Sequence, residues 1–343
     1  MGTFEGHLLP GAAFLLFGSW QEFNVLRAFF KHPGSFQSHA WFPTATTGVW
    51  RYMELIFIAL GATASILMEL VLTQPHFTPL DKHHVILLDA FNNLEHAAIS
   101  LFFLLYALTC LLCDLLPNLP PYLPYLVGAS ALAQEFLLFH FHSADHMGLE
   151  GHYHMLLRIP IGIGAICAAL EIAHPTSFML SLVRAMSFQL QGGVFIQIAL
   201  CIWVPSLVPL HCVRNAVTNT VTCESEVWHS RAKALATLQF TWWSAAVVVS
   251  TLIATIVASQ AFQDPLEEVY AGVGREREVE IPRDVEMEDS RHLLDTPFSE
   301  EEALKGEESF QGAVKRCGWM RYSGSARSHC NPGTPGTHLN GSL

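Results

Sequence analysis

Charged residues are scarce in this chain of 343 residues, since Asp, Glu, Lys and Arg make up 14% of it and hydrophobic residues 51%. This composition argues against a soluble globular protein and favours one embedded in a membrane. The charged residues are distributed unevenly along the chain. Residues 1–263 contain 9 Lys or Arg and 14 Asp or Glu, whereas the much shorter stretch 264–343 contains 9 Lys or Arg and 16 Asp or Glu. We therefore expect a transmembrane domain over residues 1–260 and a disordered, acidic, cytosolic tail over residues 261–343.

A basic stripe and a paired cysteine framework are both missing from the sequence. The formal net charge of −12, with no row of Lys or Arg along a predicted helix, argues against nucleic acid as a partner. Cys110 and Cys113 form a CxxC inside an apolar run, where cysteine usually packs as a small hydrophobic residue. Cys212 and Cys223 share one predicted loop, and we expect them to form a disulfide if that loop faces the lumen.

Long apolar runs are what the chain has in abundance. A helix that crosses a bilayer needs about 20 mostly apolar residues, and a lone chain in lipid must satisfy its backbone hydrogen bonds within each span. Seven stretches meet this requirement: 8–30, 49–72, 85–116, 122–143, 153–173, 178–204 and 232–260. The predicted fold is therefore all-α, a polytopic membrane protein with a bundle of seven transmembrane helices.

The direction of insertion rests on a few basic residues. The two sides of the predicted bundle are almost balanced in Lys and Arg, with Arg184 counted on the side of the tail. Arg27 and Lys31 directly follow the first span, and no basic residue precedes it. Because cytoplasmic loops are rich in such residues and the first span usually dominates, we predict a luminal N-terminus. We expect an integral, multi-pass protein of the endomembrane system (Golgi or endosome) or the plasma membrane, surrounded by membrane lipid.

Ionisable side chains inside the predicted spans are the most informative feature of the sequence. Side chains at positions i, i+4, i+7 and i+11 of a helix project to one side. This spacing groups Glu135, His142 and His146 in the fourth span, and it predicts a polar stripe of Asp89, Asn93, His96 and Ser100 on the third. Polar groups at this depth are expensive in free energy and therefore face the bundle interior. We predict one polar chamber on the N-terminal side of the bundle, formed by Glu69, Asp89, Asn93, Glu135 and His142.

The chamber has three interpretations that the sequence leaves open. Its side chains could be structural groups that hydrogen-bond across helices, bind a metal, or line a path for protons or a solute. Imidazoles and carboxylates are ligands of zinc, so the metal hypothesis names zinc as the cofactor, although no HExxH motif is present. Its candidate ligands are His96, Glu135, His142, His146, His152 and His154. The last four lie in "HSADHMGLEGHYH", which we interpret as a loop.

The leading functional hypothesis is a multi-pass membrane protein of unassigned biochemical activity, with a luminal-side His/carboxylate chamber that is structural or binds an ion. An alternative is an intramembrane zinc-dependent hydrolase that acts on lipid, since three ligands and an open position permit hydrolysis. A second alternative is a proton or solute transporter. Transporters usually show repeat symmetry and discontinuous helices, whereas this sequence carries no repeat of fixed period.

The tail carries one short motif with a recognised use. "DSRHLL" is typical of the acidic dileucine signal, in which an acidic residue is followed by three others and then two leucines. A disordered tail leaves such a motif accessible. We therefore predict that Asp289, Leu293 and Leu294 bind sorting adaptor proteins.

Several segments of the chain resemble a known membrane family. The similarity lies in "FEGHLLPGAAFLLFG" at the start, "ILMEL" with Glu69, "EHAAISLFFLLYAL" with His96, "ALEI" with Glu171, "QGGVFIQIAL" in the sixth span, and "QEFLLFHFHSADHMGLEGHYHMLL" with Glu135, His140, His142, His152 and His154. These segments are similar to the transmembrane protein 45 and transmembrane epididymal protein family, over about residues 1–260. The resemblance implies a seven-helix protein of endomembranes or the cell surface, and it implies no established reaction. The chain departs from the family pattern in its longer tail and in His146.

Overall fold

Seven α-helices make up most of the chain that the structure describes. The structure is a computed structural model that covers residues 3–72, 80, 83–87, 90–145, 148–215 and 220–262, without the side chains of residues 142–145. The helices are α1 (Phe4–Lys31), α2 (Met53–Leu67), α3 (Phe91–Leu115), α4 (Leu123–Asp145), α5 (Gly148–Ala173), α6 (Phe178–Trp203) and α7 (Glu226–Ala261). A π-helical turn, Met68–Leu72, extends α2, and short 3-10 helices lie at Pro33–Ser35 and Val49–Tyr52.

This architecture confirms the all-α prediction and supports a membrane protein. Five helical stretches are long and apolar enough to cross a membrane: Val49–Leu72, Phe91–Leu115, Gly148–Ala173, Phe178–Trp203 and Glu226–Ala261. The helices α1 and α4, which contain the buried carboxylates of Glu22 and Glu135, are not among them. Seven crossing helices therefore stay a prediction.

Three predicted helix boundaries are wrong, each for a local reason. The helix α5 begins at Gly148 rather than at 153, and this glycine starts the helix with a φ of 85°, a conformation that glycine adopts at little cost. Much of the predicted histidine loop is therefore helical. The helix α3 begins at Phe91 rather than at 85, since Leu80 and Ile86 form an antiparallel β-bridge. The helix α7 begins at Glu226 rather than at 232, with an acidic first turn that suits a helix N-terminus.

The helix α6 is the centre of the bundle. In the most apolar 18 residues of α6, 78% of the residues are buried. In the most apolar 18 residues of Val49–Leu72 and of α7, only 11% are buried. The backbones of α1 and α6 nearly touch, because a Cβ on Gly192 would come within 2.4 Å of the Leu15 nitrogen and one on Gly18 within 2.7 Å of the Gln189 nitrogen. Small residues of this kind allow membrane helices to pack backbone to backbone. The helix α5 also packs against α6, and α4 packs against α5.

A short β-hairpin lies between α6 and α7. Its strands are β1 (Cys212–Arg214) and β2 (Val221–Cys223), which pair antiparallel with Cys212 opposite Cys223. These two cysteines form a disulfide, the pair that the sequence predicts for a luminal loop. Strand β2 contacts α5 and α7, so the hairpin lies at the end of the bundle where α5 begins.

Candidate functional site

Two groups of buried polar side chains lie towards opposite ends of α5. The first contains His154, near the start of α5, and His7, near the start of α1, and is called the histidine pair below. The second includes Glu171, near the end of α5, which lies about 25 Å from His154 along the helix at 1.5 Å per residue. We call the second group the arginine network, and it consists of Gln21, Glu54, Glu171, Ser181 and Arg184.

The histidine pair brings two ring nitrogens face to face. His7 Nε2 and His154 Nε2 are 3.4 Å apart, and the side chains are only 6% and 2% exposed. His7 Nδ1 lies 2.9 Å from the backbone carbonyl oxygen of Thr3. Since a carbonyl oxygen only accepts, Nδ1 carries the hydrogen, and a neutral His7 ring therefore directs the lone pair of Nε2 towards His154.

Aromatic rings surround the histidine pair. The ring centroid of Trp203 is 4.8 Å from that of His7, and Phe195 lies 6.2 Å from it. Phe139 of α4 lies 5.8 Å from the ring of His154. The pair is therefore enclosed by apolar groups from α4 and α6, which restricts its contact with water.

Glu135 is buried between α4 and α6. Its side chain is 1% exposed, and its Oε1 accepts a hydrogen bond from Gln191 Nε2 at 2.5 Å. Its Oε2 and the Oε1 of Gln191 have no hydrogen-bond partner among the described residues. Two acceptors in one buried contact therefore lack a donor, which is unusual in a protein interior.

The predicted stripe on the third span meets the second span. His96 Nδ1 is 3.0 Å from Glu69 Oε1, and Asn93 Nδ2 donates to the Glu69 backbone carbonyl oxygen at 2.9 Å. One turn further, Ser100 Oγ donates to Ser65 Oγ at 2.8 Å. Two members of the predicted chamber, Glu69 and Asn93, are therefore brought together with the candidate ligand His96, between α3 and the π-helical turn that extends α2.

The remaining candidate metal ligands are separated from one another or lie outside the description. His152 Nε2 is 2.9 Å from Thr237 Oγ1 of α7, whereas His154 contacts His7 of α1. Asp89, His146 and the side chain of His142 lie outside the described residues. Within the described part of the chain, no three His, Cys, Asp or Glu side chains form a group that could hold a metal ion. The six-residue ligand set and the hydrolase and transporter hypotheses stay untested.

The arginine network centres on an ion pair inside the bundle. Arg184 Nε donates to Glu171 Oε2 at 2.7 Å, and Ser181 Oγ donates to Glu171 Oε1 at 2.6 Å. The side chains of Glu171 and Arg184 are only 1% and 6% exposed. Both carboxylate oxygens of Glu171 are thus hydrogen-bonded without water.

The network continues from Arg184 to α1 and α2. Arg184 Nη1 donates to Gln21 Oε1 at 3.4 Å, and Nη2 donates to the His39 backbone carbonyl oxygen at 3.0 Å. Gln21 Nε2 in turn donates to Glu54 Oε1 at 2.7 Å. Glu54 Oε2 accepts from the indole nitrogen of Trp20 at 2.7 Å and from the backbone nitrogen of Phe42 at 2.9 Å. Four helices and the connection between α1 and α2 are therefore joined by one polar chain.

Sequence reasoning missed the arginine network. It counted Arg184 among the basic residues that flank the spans, whereas the structure buries this side chain within α6. One available signal was the position of Arg184 seven residues into an apolar stretch that starts at 178. An arginine there needs a carboxylate partner inside the bundle, and Glu171 was the nearest one along the chain.

One protein family matches the second half of this bundle. A family of unknown function, DUF716, matches residues 122–256, which cover α4, α5, α6 and most of α7. This part of the chain is therefore similar to the DUF716 family. That family corresponds to the transmembrane protein 45 group, so the match supports the family-level resemblance. The DUF716 match includes His154, Glu171 and Arg184, whereas their partners His7 and Gln21 precede it.

Proposed function

We propose that this DUF716 protein is a multi-pass membrane protein of endomembranes or the cell surface, with a His/carboxylate chamber that is structural or binds an ion. What supports the proposal is the burial of Glu135 and His154, 1% and 2% exposed, in helices of a membrane-compatible bundle. Ionisable side chains persist at such positions only where they pair or serve a function. The chamber comprises Glu69, Asp89, Asn93, Glu135 and His142, as the sequence predicts.

The finer identity and orientation belong to the same proposal. We infer from the sequence motifs that the chain resembles transmembrane epididymal protein 1 within this family. We infer seven crossing helices with a luminal N-terminus and a cytosolic tail. The disulfide between Cys212 and Cys223 supports this orientation, because disulfides persist in the oxidising lumen and not in the cytosol. It lies between the sixth and seventh helices, on the same side as the N-terminus.

The chamber is tested by thermal unfolding of the full chain in detergent, with and without a metal chelator. We expect His142→Ala to lower the melting temperature in either case, because it removes a partner from the interior. His140→Ala is the control, since His140 is exposed and points away from Glu135. If the chamber binds an ion, the chelator also lowers the melting temperature of the wild type, because bound metal stabilises the folded state.

The same experiment distinguishes the two branches of the proposal, a chamber that is structural and a chamber that binds an ion. A wild-type melting temperature that does not respond to chelator or to added zinc leaves the chamber structural. Equal, negligible effects of His142→Ala and His140→Ala would contradict both branches, because no interior partner would then have been removed.

For the tail we infer a sorting role for Asp289, Leu293 and Leu294 through adaptor proteins. Changing Leu293→Ala and Leu294→Ala together is expected to shift the protein from internal membranes to the cell surface. The measurement is surface biotinylation at equal expression of both forms. An unchanged surface fraction would remove the motif from the proposal.

A further inference from the structure

We propose that His7 and His154 are two ligands of a metal site between α1 and α5, which takes a divalent transition metal of the zinc class. This proposal rests on the ion-binding branch of the proposed function. It goes beyond that function by pairing the candidate ligand His154 with His7, a residue outside both the predicted chamber and the candidate ligand set, and by locating the site between two particular helices.

The separation of the two nitrogens fits a shared metal. Nitrogen ligands at ~2.0–2.1 Å from a tetrahedral zinc ion are separated by roughly 3.3–3.4 Å. The two Nε2 atoms are 3.4 Å apart. A direct hydrogen bond from an N–H group is usually shorter, with a most common length of about 2.9–3.0 Å. The pair is therefore spaced as two ligands on one ion.

The orientation of His7 is also that of a metal ligand. Metal-binding histidines usually donate their second ring N–H to a carbonyl or carboxylate oxygen, which fixes the tautomer and aims the other nitrogen at the metal. His7 Nδ1 makes this contact with the Thr3 carbonyl oxygen at 2.9 Å. Thr3 in turn caps the N-terminus of α1 through its side chain. The helix start thus holds the ring in place.

The surroundings of the pair suit a small, enclosed site. Trp203 and Phe195 of α6 contact the ring of His7, and imidazole ligands in an apolar shell bind zinc with restricted access to solvent. Glu150 lies one helical turn before His154 on α5 and is 4% exposed, so the backbones of these two buried residues are about 6 Å apart along the helix axis. Four-coordinate zinc takes two further ligands besides these imidazoles, from the protein, water or a solute.

The experiment uses the full chain, stripped of metal in detergent and titrated with Co²⁺, whose visible absorption reports tetrahedral coordination. The wild type is expected to bind one equivalent that Zn²⁺ displaces. His7→Ala and His154→Ala are each expected to weaken binding at least tenfold. His174→Ala is the control, because this exposed histidine follows the opposite end of α5 and its loss leaves binding unchanged.

A second measurement does not depend on the variants folding. X-ray absorption of the zinc-loaded wild type is expected to show two imidazole ligands, and fewer than two would overturn the proposal. Zinc retained by both His7→Ala and His154→Ala would overturn it as well, while leaving an ion-binding chamber elsewhere. No metal binding by the wild type would overturn it and leave the proposed function in its structural form.

Discussion

The arginine network and the Glu135–Gln191 contact are both buried, but they differ in how their acceptors are satisfied. In the network, every carboxylate oxygen of Glu54 and Glu171 accepts at least one hydrogen bond. In the other contact, Glu135 Oε2 and Gln191 Oε1 receive none from the described residues. A fully satisfied network makes the packing rigid and specific, whereas acceptors without donors leave room for a bound proton, water or ion. The first region therefore supports the fold, and the second is open to function.

The largest expected effect is the removal of one charge from the network. Glu171→Ala leaves the Arg184 guanidinium buried without its carboxylate, and breaking a buried ion pair in this way destabilises proteins by about 3–5 kcal/mol. The free energy of unfolding is measured by denaturant titration in micelles. The control is Arg51→Ala, which breaks a pair with Asp114 whose side chains are 30% and 23% exposed, so the loss is at most about 1 kcal/mol. Similar losses of unfolding free energy in both variants would show that the buried network stabilises the fold no more than an exposed ion pair does.

A smaller effect is expected where α1 meets α6. Gly192→Ala places a Cβ 2.4 Å from the Leu15 nitrogen, and such overpacking typically costs about 1–3 kcal/mol. Gly61→Ala is the matched control, because a Cβ there meets no described atom within 4 Å. The control is expected to be neutral or to stabilise α2 by up to ~1 kcal/mol, since glycine is a poor helix former. If Gly192→Ala unfolds at the same denaturant concentration as Gly61→Ala, the close contact is absent in solution.

The smallest effect is expected from Glu135→Gln. The new amide oxygen still accepts from Gln191, so most of the stability is retained, whereas Glu135→Ala leaves that amide unpaired at a cost of about 1–3 kcal/mol. Melting temperatures of the two variants in detergent provide the measurement. If Glu135→Gln is as damaging as Glu135→Ala, the negative charge itself is required, and an ion bound at Glu135 becomes the better interpretation.

Helical periodicity was sufficient to predict contacts between helices that follow each other in the sequence. It was insufficient to predict contacts between helices that are distant in the sequence. It placed Asn93, His96 and Ser100 on one stripe, and these residues hydrogen-bond to Glu69 and Ser65, because α2 and α3 pack side by side. It could not identify the arginine network, whose members come from four helices, with Gln21 and Arg184 separated by 163 positions. The pattern on one helix indicates that a polar face needs partners, but it does not say which of six other helices supplies them.

The predicted histidine loop failed for a related reason. A run with several histidines and two glycines is typical of a solvent-exposed connection, yet α4 extends to Asp145 and α5 already begins at Gly148. His154 then lies in the first turns of a buried helix and contacts His7, which precedes it by 147 positions. Only the packing of α1 on α6, beside α5, brings these two residues together.

The packing of α1 on α6 has a consequence for how the chain is made. At ~5–20 residues per second, a ribosome needs roughly 7–30 s to synthesise the stretch between the end of α1 at Lys31 and the start of α6 at Phe178. During this interval Gln21 and Glu22 of α1 already exist, whereas their hydrogen-bond partners Arg184 and Gln189 of α6 do not. The polar side chains of the first helix therefore stay without these partners until the sixth helix has been made. We expect substitutions in α6 to reduce the yield of folded protein, even where the mature fold tolerates them.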